Sequence, residues 1–217
     1  MVAAVPEPGS PFEPLEYILD SGTDFYRVAS NSRDVDAFNA GLGGRTRFAF
    51  FGSITRAVTV DSPAVPILYG AQSIEAAICE SILHDIPQTG GLLRPNAYSD
   101  KIGARLVTGR DLRLASFMGL GLKHLHIEQT QLIDTPATTY KQTVAWAHAA
   151  YVAGFDGAVW MSRRCNSERA YVLFGDRVGP ADLAIDPGFG QVYCAGPDLD
   201  WLIRFCAPLH IDVLVHS

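Results

Sequence analysis

The first half of the chain changes period partway along. Asp24–Ala29 sets β-favouring Phe25, Tyr26 and Val28 around Arg27 and predicts a strand. Arg45–Phe51 alternates, with Arg45 and Arg47 on one side and Thr46, Phe48 and Phe50 on the other, and is expected to be extended. Pro66–Tyr69 predicts a short strand that stops at Gly70. From Ser73 the period becomes helical. Ser73 suits the cap, Glu75 suits the first turn, and Ile74, Ala77, Ile78, Ser81 and Ile82 fall near one face through Ile86. Glu80 lies off that stripe, on a face shared with Ala76 and with Leu83 or His84.

The second half reads as short strands around one long helix. Arg105–Val107, Leu112–Ala115 and Leu125–Ile127 are strand candidates. Tyr140–Val152 is alanine-rich, with Val144, Ala147, His148 and Tyr151 at helical spacing. Gly154 ends it, and Asp156-Gly157 turns the chain into a strand pair, AVWMS from Ala158 and AYVLFGDRV from Ala170. Two stretches resist regular structure: Asn31–Gly44, ending in Gly41, Gly43 and Gly44, and Pro87–Asp100. The expected organisation is an irregular arm over 1–20, a main domain over 21–178, and an apolar, acidic segment over 179–217 packing on it. That last segment suits core completion, a partner contact or a contact within a homo-oligomer.

Composition narrows the chemistry. A chain of 217 residues can bury a sizeable core without metal or disulfide. The four cysteines are scattered with no CxxC unit, and the six histidines form no HExxH, so no metal site is expected. Cys79, in the helical pattern, reads as a buried thiol. No stretch approaches the roughly 18 apolar residues of a membrane span. Met1–Ser21 carries four acidic residues and no basic one, unlike a signal or transit peptide, so a cytoplasmic location and no membrane partner are expected. A net charge of -6 argues against general nucleic-acid binding. Fourteen arginines against three lysines suit two-point grips on phosphate or carboxylate, although GC-rich coding produces the same bias.

Arg27, Arg47, Tyr69, Glu80 and Ser162 sit near strand ends or in the helix, but periodicity alone does not select them as a set. Each has an ordinary reading as a solvated, packed or turn residue. Four segments, however, resemble in order and spacing the motifs of the RES domain family: FYRV at Phe25–Val28, RF at Arg47–Phe48, LYGAQSIEAAICE at Leu68–Glu80, and WMSRRCNSERAYVLFGDRV at Trp160–Val178. The family is named for an arginine, a glutamate and a serine, and the matching positions are Arg27, Glu80 and Ser162. The resemblance implies an α+β fold similar to ADP-ribosyltransferases, with a curved, split, mixed β-sheet and packed helices. It also implies an NAD-consuming toxin that cleaves the nicotinamide–ribose bond, with water or inorganic phosphate as acceptor. NAD is then substrate rather than cofactor, and the natural partner is an antitoxin with a helix-turn-helix domain.

The roles implied by the resemblance are chemically coherent. Arg27 and Arg47 would grip the pyrophosphate. Tyr69 would meet the nicotinamide or ribose. Glu80 would steady the ribosyl cation formed as nicotinamide leaves. Ser162 would hydrogen-bond the ribose or the amide, with Arg163 and Asn166 beside it, and Ser167 could share that role. His84 could line the same cleft. The chain departs from the family pattern at Ala49-Phe50-Phe51-Gly52, and in an arginine-rich loop after Ser162 that carries Arg163, Arg164 and Arg169; those arginines leave phosphorolysis open. Two rival functions carry different signatures. An ADP-ribosyltransferase acting on protein or nucleic acid needs a docking surface for that target. A non-catalytic nucleotide- or partner-binding module would not need Glu80.

Overall fold

A computed structural model describes residues 4–215. The strands are β1 (Glu16–Leu19), β2 (Asp24–Ser30), β3 (Ile67–Ala71), β4 (Gly91–Leu93), β5 (Lys101–Thr108), β6 (Leu112–Ser116), β7 (Gly157–Met161), β8 (Arg169–Phe174), β9 (Leu183–Val192) and β10 (Ile211–Val213). The helices are α1 (Ile74–Cys79), α2 (Pro95–Tyr98), α3 (Leu120–His124), α4 (Gln129–Leu132), α5 (Tyr140–Val152) and α6 (Pro197–Cys206). Eight strands form one mixed sheet in the order β1-β6-β7-β8-β3-β2-β5-β9, in which β6 and β7 run parallel. β10 and β4 make a separate parallel pair. The fold is α+β with a curved mixed sheet, as the resemblance implied. None of the described helices is long and apolar enough to cross a membrane.

Strand alternation gives the sheet two apolar faces. Leu68, Val159, Tyr171 and Leu173 face one way, with Phe25, Leu106 and Leu114. Ile67, Ala158, Trp160, Val172 and Phe174 face the other, where Phe117 after β6 and α5, through Val144, Trp146, Ala147 and Ala150, cover them. α5 is buried at Thr143, Val144, Ala145, Trp146 and Ala147, nearly all round its axis, so it is a core helix rather than a half-exposed one. On the same face α1 and α6 meet through Ile78, Leu202 and Cys206, against Tyr26 and Val28 of β2.

One seam of the sheet is weak. β2 pairs with β5 over its full length, and β3 pairs with β8 over its full length. Between them β2 and β3 share a single register position, Tyr26↔Ala71. Continuing that antiparallel register would place Val28 opposite Tyr69, but there the strands have splayed apart. Gly70 sits at the start of the splay because the Phe25 ring fills its Cβ position, 2.1 Å from where that atom would stand.

Several expected elements differ. α1 stops at Cys79 instead of continuing through Ile86, and turns follow. A straight helix would put Leu83 about 140° from Ile78, whereas the turn buries Ile78, Ile82 and Leu83 together. Arg45–Phe51 is a tight turn, with Thr46 bridging Ala49, rather than a strand. Phe48, Ala49 and Phe51 are all fully buried, a pattern no alternating strand permits. Leu125–Ile127 is the turn leaving α3, not a strand. Residues 16–19, expected in the arm, pair with β6. The segment 179–217 divides: β9 is an integral strand against β5, while α6 and β10 pack at the sheet's end. Its last two residues lie outside the described ones.

Candidate active site

The splay between β2 and β3 opens a cleft of about 480 Å³. Val28, Tyr69 and Gly70 form its seam, α1 supplies Ala77 and Glu80, and the Arg45–Arg47 turn, Tyr140 and Trp160 close the far side. The early end of α1 sets the position of Glu80. As the helix's C-cap, with its N–H bonded to the Ala76 carbonyl, it leaves the helix where the cleft begins.

The carboxylate is held from behind. The Ser162 hydroxyl donates to Glu80 Oε1 at 2.6 Å, and the Arg163 backbone N–H donates to the same oxygen at 3.1 Å. Among the described residues no hydrogen bond reaches Oε2. Ser162 in turn accepts the Cys165 N–H at 3.0 Å, while its own N–H bonds the Glu168 carbonyl, so the loop leaving β7 is closed on itself. The Arg164 guanidinium ties that loop to the His84 carbonyl at 3.0 Å. Ser162 is 0% exposed and does not line the cleft, so the direct substrate contact expected of it is replaced by contact with Glu80. Arg163 and Asn166 are exposed side chains outside the lining. Only the backbone of Arg163 reaches the site. Cys79, next to Glu80, is buried as expected, and burial pushes its thiol up to about 12.

On the opposite wall Arg47 is buried. Its Nη1 donates to Thr135 Oγ1 at 2.7 Å and to the Leu132 carbonyl at 3.3 Å, and its guanidinium lies 5.2 Å from the Tyr140 ring centre. The Thr143 hydroxyl donates to the Arg47 carbonyl, which fixes the turn to α5. The Tyr69 hydroxyl accepts the Phe48 N–H at 3.1 Å and stands 2.8 Å from Thr46 Oγ1. Burial pushes this phenol up to about 12, so it stays protonated across the physiological range. Tyr69 also meets Trp160 edge to face at 6.2 Å. His84 lines the cleft, 3.4 Å from the Tyr140 hydroxyl and 2.9 Å from Asp85.

Arg27 is elsewhere. It shares strand parity with Phe25, whereas Tyr26 and Val28 point toward α1. Its Nη1 donates to the carbonyls of Val35 and Ala37, both at 2.8 Å, and so clasps the loop after β2. Burial pulls its guanidinium down to about 10, opposed by Asp36. Arg27 is thus not brought to the cleft with Arg47, and the expected paired clamp is not formed. Arg45 stands on the same turn as Arg47. It lines the cleft, is exposed, and has no hydrogen-bond partner among the described residues. Gly41, Gly43 and Gly44 precede it without lining the cleft. Sequence pattern alone does not select Arg45, Tyr140 and Trp160 as site residues, because the Arg45–Arg47 turn, the start of α5 and β7 meet at this wall only in the folded chain. The alternation that aligned Arg45 with Arg47 was the one available signal.

No group of histidine, cysteine and acidic residues among the described ones could hold a metal ion. No curated protein matches the sequence significantly. A solved structure titled as the M. tuberculosis MbcT-MbcA toxin–antitoxin complex contains a similar chain, with 16% identity and a TM-score of 0.54, over 86% of this chain and 91% of that one. At that identity the likeness concerns the fold. The RES domain family model matches residues 24–196, and the chain belongs to the RES domain family.

Proposed function

We propose that the cleft is where this NAD-consuming toxin breaks the nicotinamide–ribose bond, with Glu80 steadying the ribosyl cation. The observation that carries this is the asymmetry of the Glu80 carboxylate. Oε1 is held by Ser162 and the Arg163 N–H, and Oε2 is left without a partner among the described residues in a residue that lines the cleft. As the bond breaks, its electron pair leaves with nicotinamide, and positive charge builds on the ribose carbon and ring oxygen. A carboxylate already fixed in place lowers that barrier without reorganising. Tyr69, Tyr140 and Trp160 offer an aromatic wall for the nicotinamide ring. Arg45 and the remaining nitrogens of Arg47 meet the pyrophosphate.

The same inventory favours water as acceptor. Among the described residues Arg45 and Arg47 are the arginines lining the cleft, and on this reading the dinucleotide's own phosphates engage both. Arg164 and Arg169 are turned to the His84 carbonyl and to Gln72, and Arg163 is exposed outside the lining. Water adds to the ribose carbon and its proton passes to solvent. The toxin acts in the cytoplasm and is neutralised by a helix-turn-helix antitoxin.

Incubation with NAD, with and without inorganic phosphate, tests this reading. Nicotinamide and ADP-ribose are expected in equal amounts in both cases. A phosphorylated ADP-ribose would overturn the assignment of water. ADP-ribose attached to a macromolecule would favour a transferase. Intact NAD throughout would remove the enzymatic reading.

A further inference from the structure

We infer that the cleft has a second lobe that takes the adenosine half of the dinucleotide; this rests on the NAD-cleaving reading of the main cleft. Beyond Ser81 and Asp85, which line both spaces, lies a depression of about 330 Å³. Its floor is apolar, made by Ile86, Leu93 and Ala97, which pack on the α1–α6 core. Leu92 at its edge is 51% exposed. An apolar floor suits a purine ring better than a phosphate or a sugar.

The charges around it fit the same occupant. Arg94 lines the lobe, is exposed, and makes no ion pair or side-chain hydrogen bond among the described residues. A free guanidinium can stack on the face of a purine. Lys101, the other cation of the lobe, is already paired with Asp100 at 2.9 Å. At the junction Asp85 Oδ1 lies 2.9 Å from His84 Nδ1, and the side chain is otherwise 97% exposed, so Oδ2 can accept hydrogen bonds from ribose hydroxyls. The dinucleotide would thus run from Glu80 in the main cleft, past Asp85, to Arg94 in the lobe.

Calorimetric titration of the full chain with AMP, and separately with nicotinamide mononucleotide, tests the lobe apart from turnover. Two variants are compared with wild type: Arg94→Ala, which removes the stacking group, and Ala97→Phe, which fills the floor. Each must retain the wild-type melting temperature, so that two independent changes guard against a folding artefact. AMP is expected to bind wild type and to weaken about tenfold in both variants, while the mononucleotide keeps its affinity. No AMP binding to wild type, or equal AMP affinity in all three proteins, overturns the inference. NAD turnover measured on the same samples separates the two readings. AMP binding that responds to the variants without NAD loss removes the proposed reaction and leaves the lobe standing. NAD loss with AMP indifferent to them removes the lobe alone.

Discussion

On one wall of the cleft, Glu80 ends a six-residue helix and its carboxylate is held by a serine and a backbone N–H from a loop some 80 positions away. On the other wall, Arg47 sits in an irregular turn, buried and partly bonded to carbonyl and hydroxyl oxygens of 132 and 135. The first wall fixes one oxygen and leaves its neighbour uncommitted. The second surrounds a charge and leaves its exposed neighbour, Arg45, uncommitted. In both, a supporting shell immobilises a charged group while some donor or acceptor capacity stays available. This is how a site can be rigid and still bind. The walls differ in what mutation should do. Glu80 is half-exposed at a helix end, and its loss should affect chemistry. Arg47 is buried, and its loss should affect chemistry and stability together.

Glu80→Gln should break the contrast most sharply. Shape is kept and charge is lost, so kcat should fall about 1000-fold with little change in melting temperature. Arg47→Ala should raise KM for NAD and lower kcat, about 100-fold together, and also lower the melting temperature, because Thr135 Oγ1 loses its donor and the Leu132 carbonyl keeps only that of Thr135. Ser162→Ala should lower kcat about tenfold with KM nearly unchanged, since the hydroxyl acts through Glu80. Arg27→Ala should do the reverse of Glu80→Gln: chemical denaturation should find about 1–3 kcal/mol less stability, with kcat nearly intact, because the Val35 and Ala37 carbonyls lose their clasp.

The smallest effect is the alkaline one. Tyr69 is raised to about 12 in the fold, from an ordinary value near 10 in the unfolded chain. The unfolded state therefore loses this proton first. The stability tied to the neutral phenol is present below pH about 10 and is lost as pH rises toward 12. Comparing melting of wild type and Tyr69→Phe across that interval should show the shallower slope in the variant.

Sequence pattern exposes local features well and distant partnerships poorly. The core strands and α5 are legible because Phe25, Val28, Val144 and Ala147 follow the period of their element. The Arg45–Phe51 turn is not, because its side chains alternate like a strand while tertiary contacts with Tyr69 and Thr143 set its backbone. Glu80 is reachable only through family resemblance, since its helical phase is that of a wet surface residue. Arg27 shows the limit of the same resemblance. Strand parity faces it away from α1, and parity is decided by which face is covered, a tertiary fact. The arginine bias likewise divides after folding. Arg105, Arg110 and Arg113 pair with Asp186, Asp156 and Glu16 to tie the sheet's surroundings together, leaving Arg45 as the unpaired guanidinium in the main cleft among the described residues.

In the proposed site Glu80 is the charged group acting on the substrate, and Ser162 works only by holding it. Single-turnover NAD cleavage should be measured for Ser162→Ala alone, Glu80→Gln alone and the two combined. Ser162→Ala should slow cleavage about tenfold when Glu80 is present and have no further effect when Glu80 is replaced by Gln. An equal loss from Ser162→Ala in both backgrounds would contradict it.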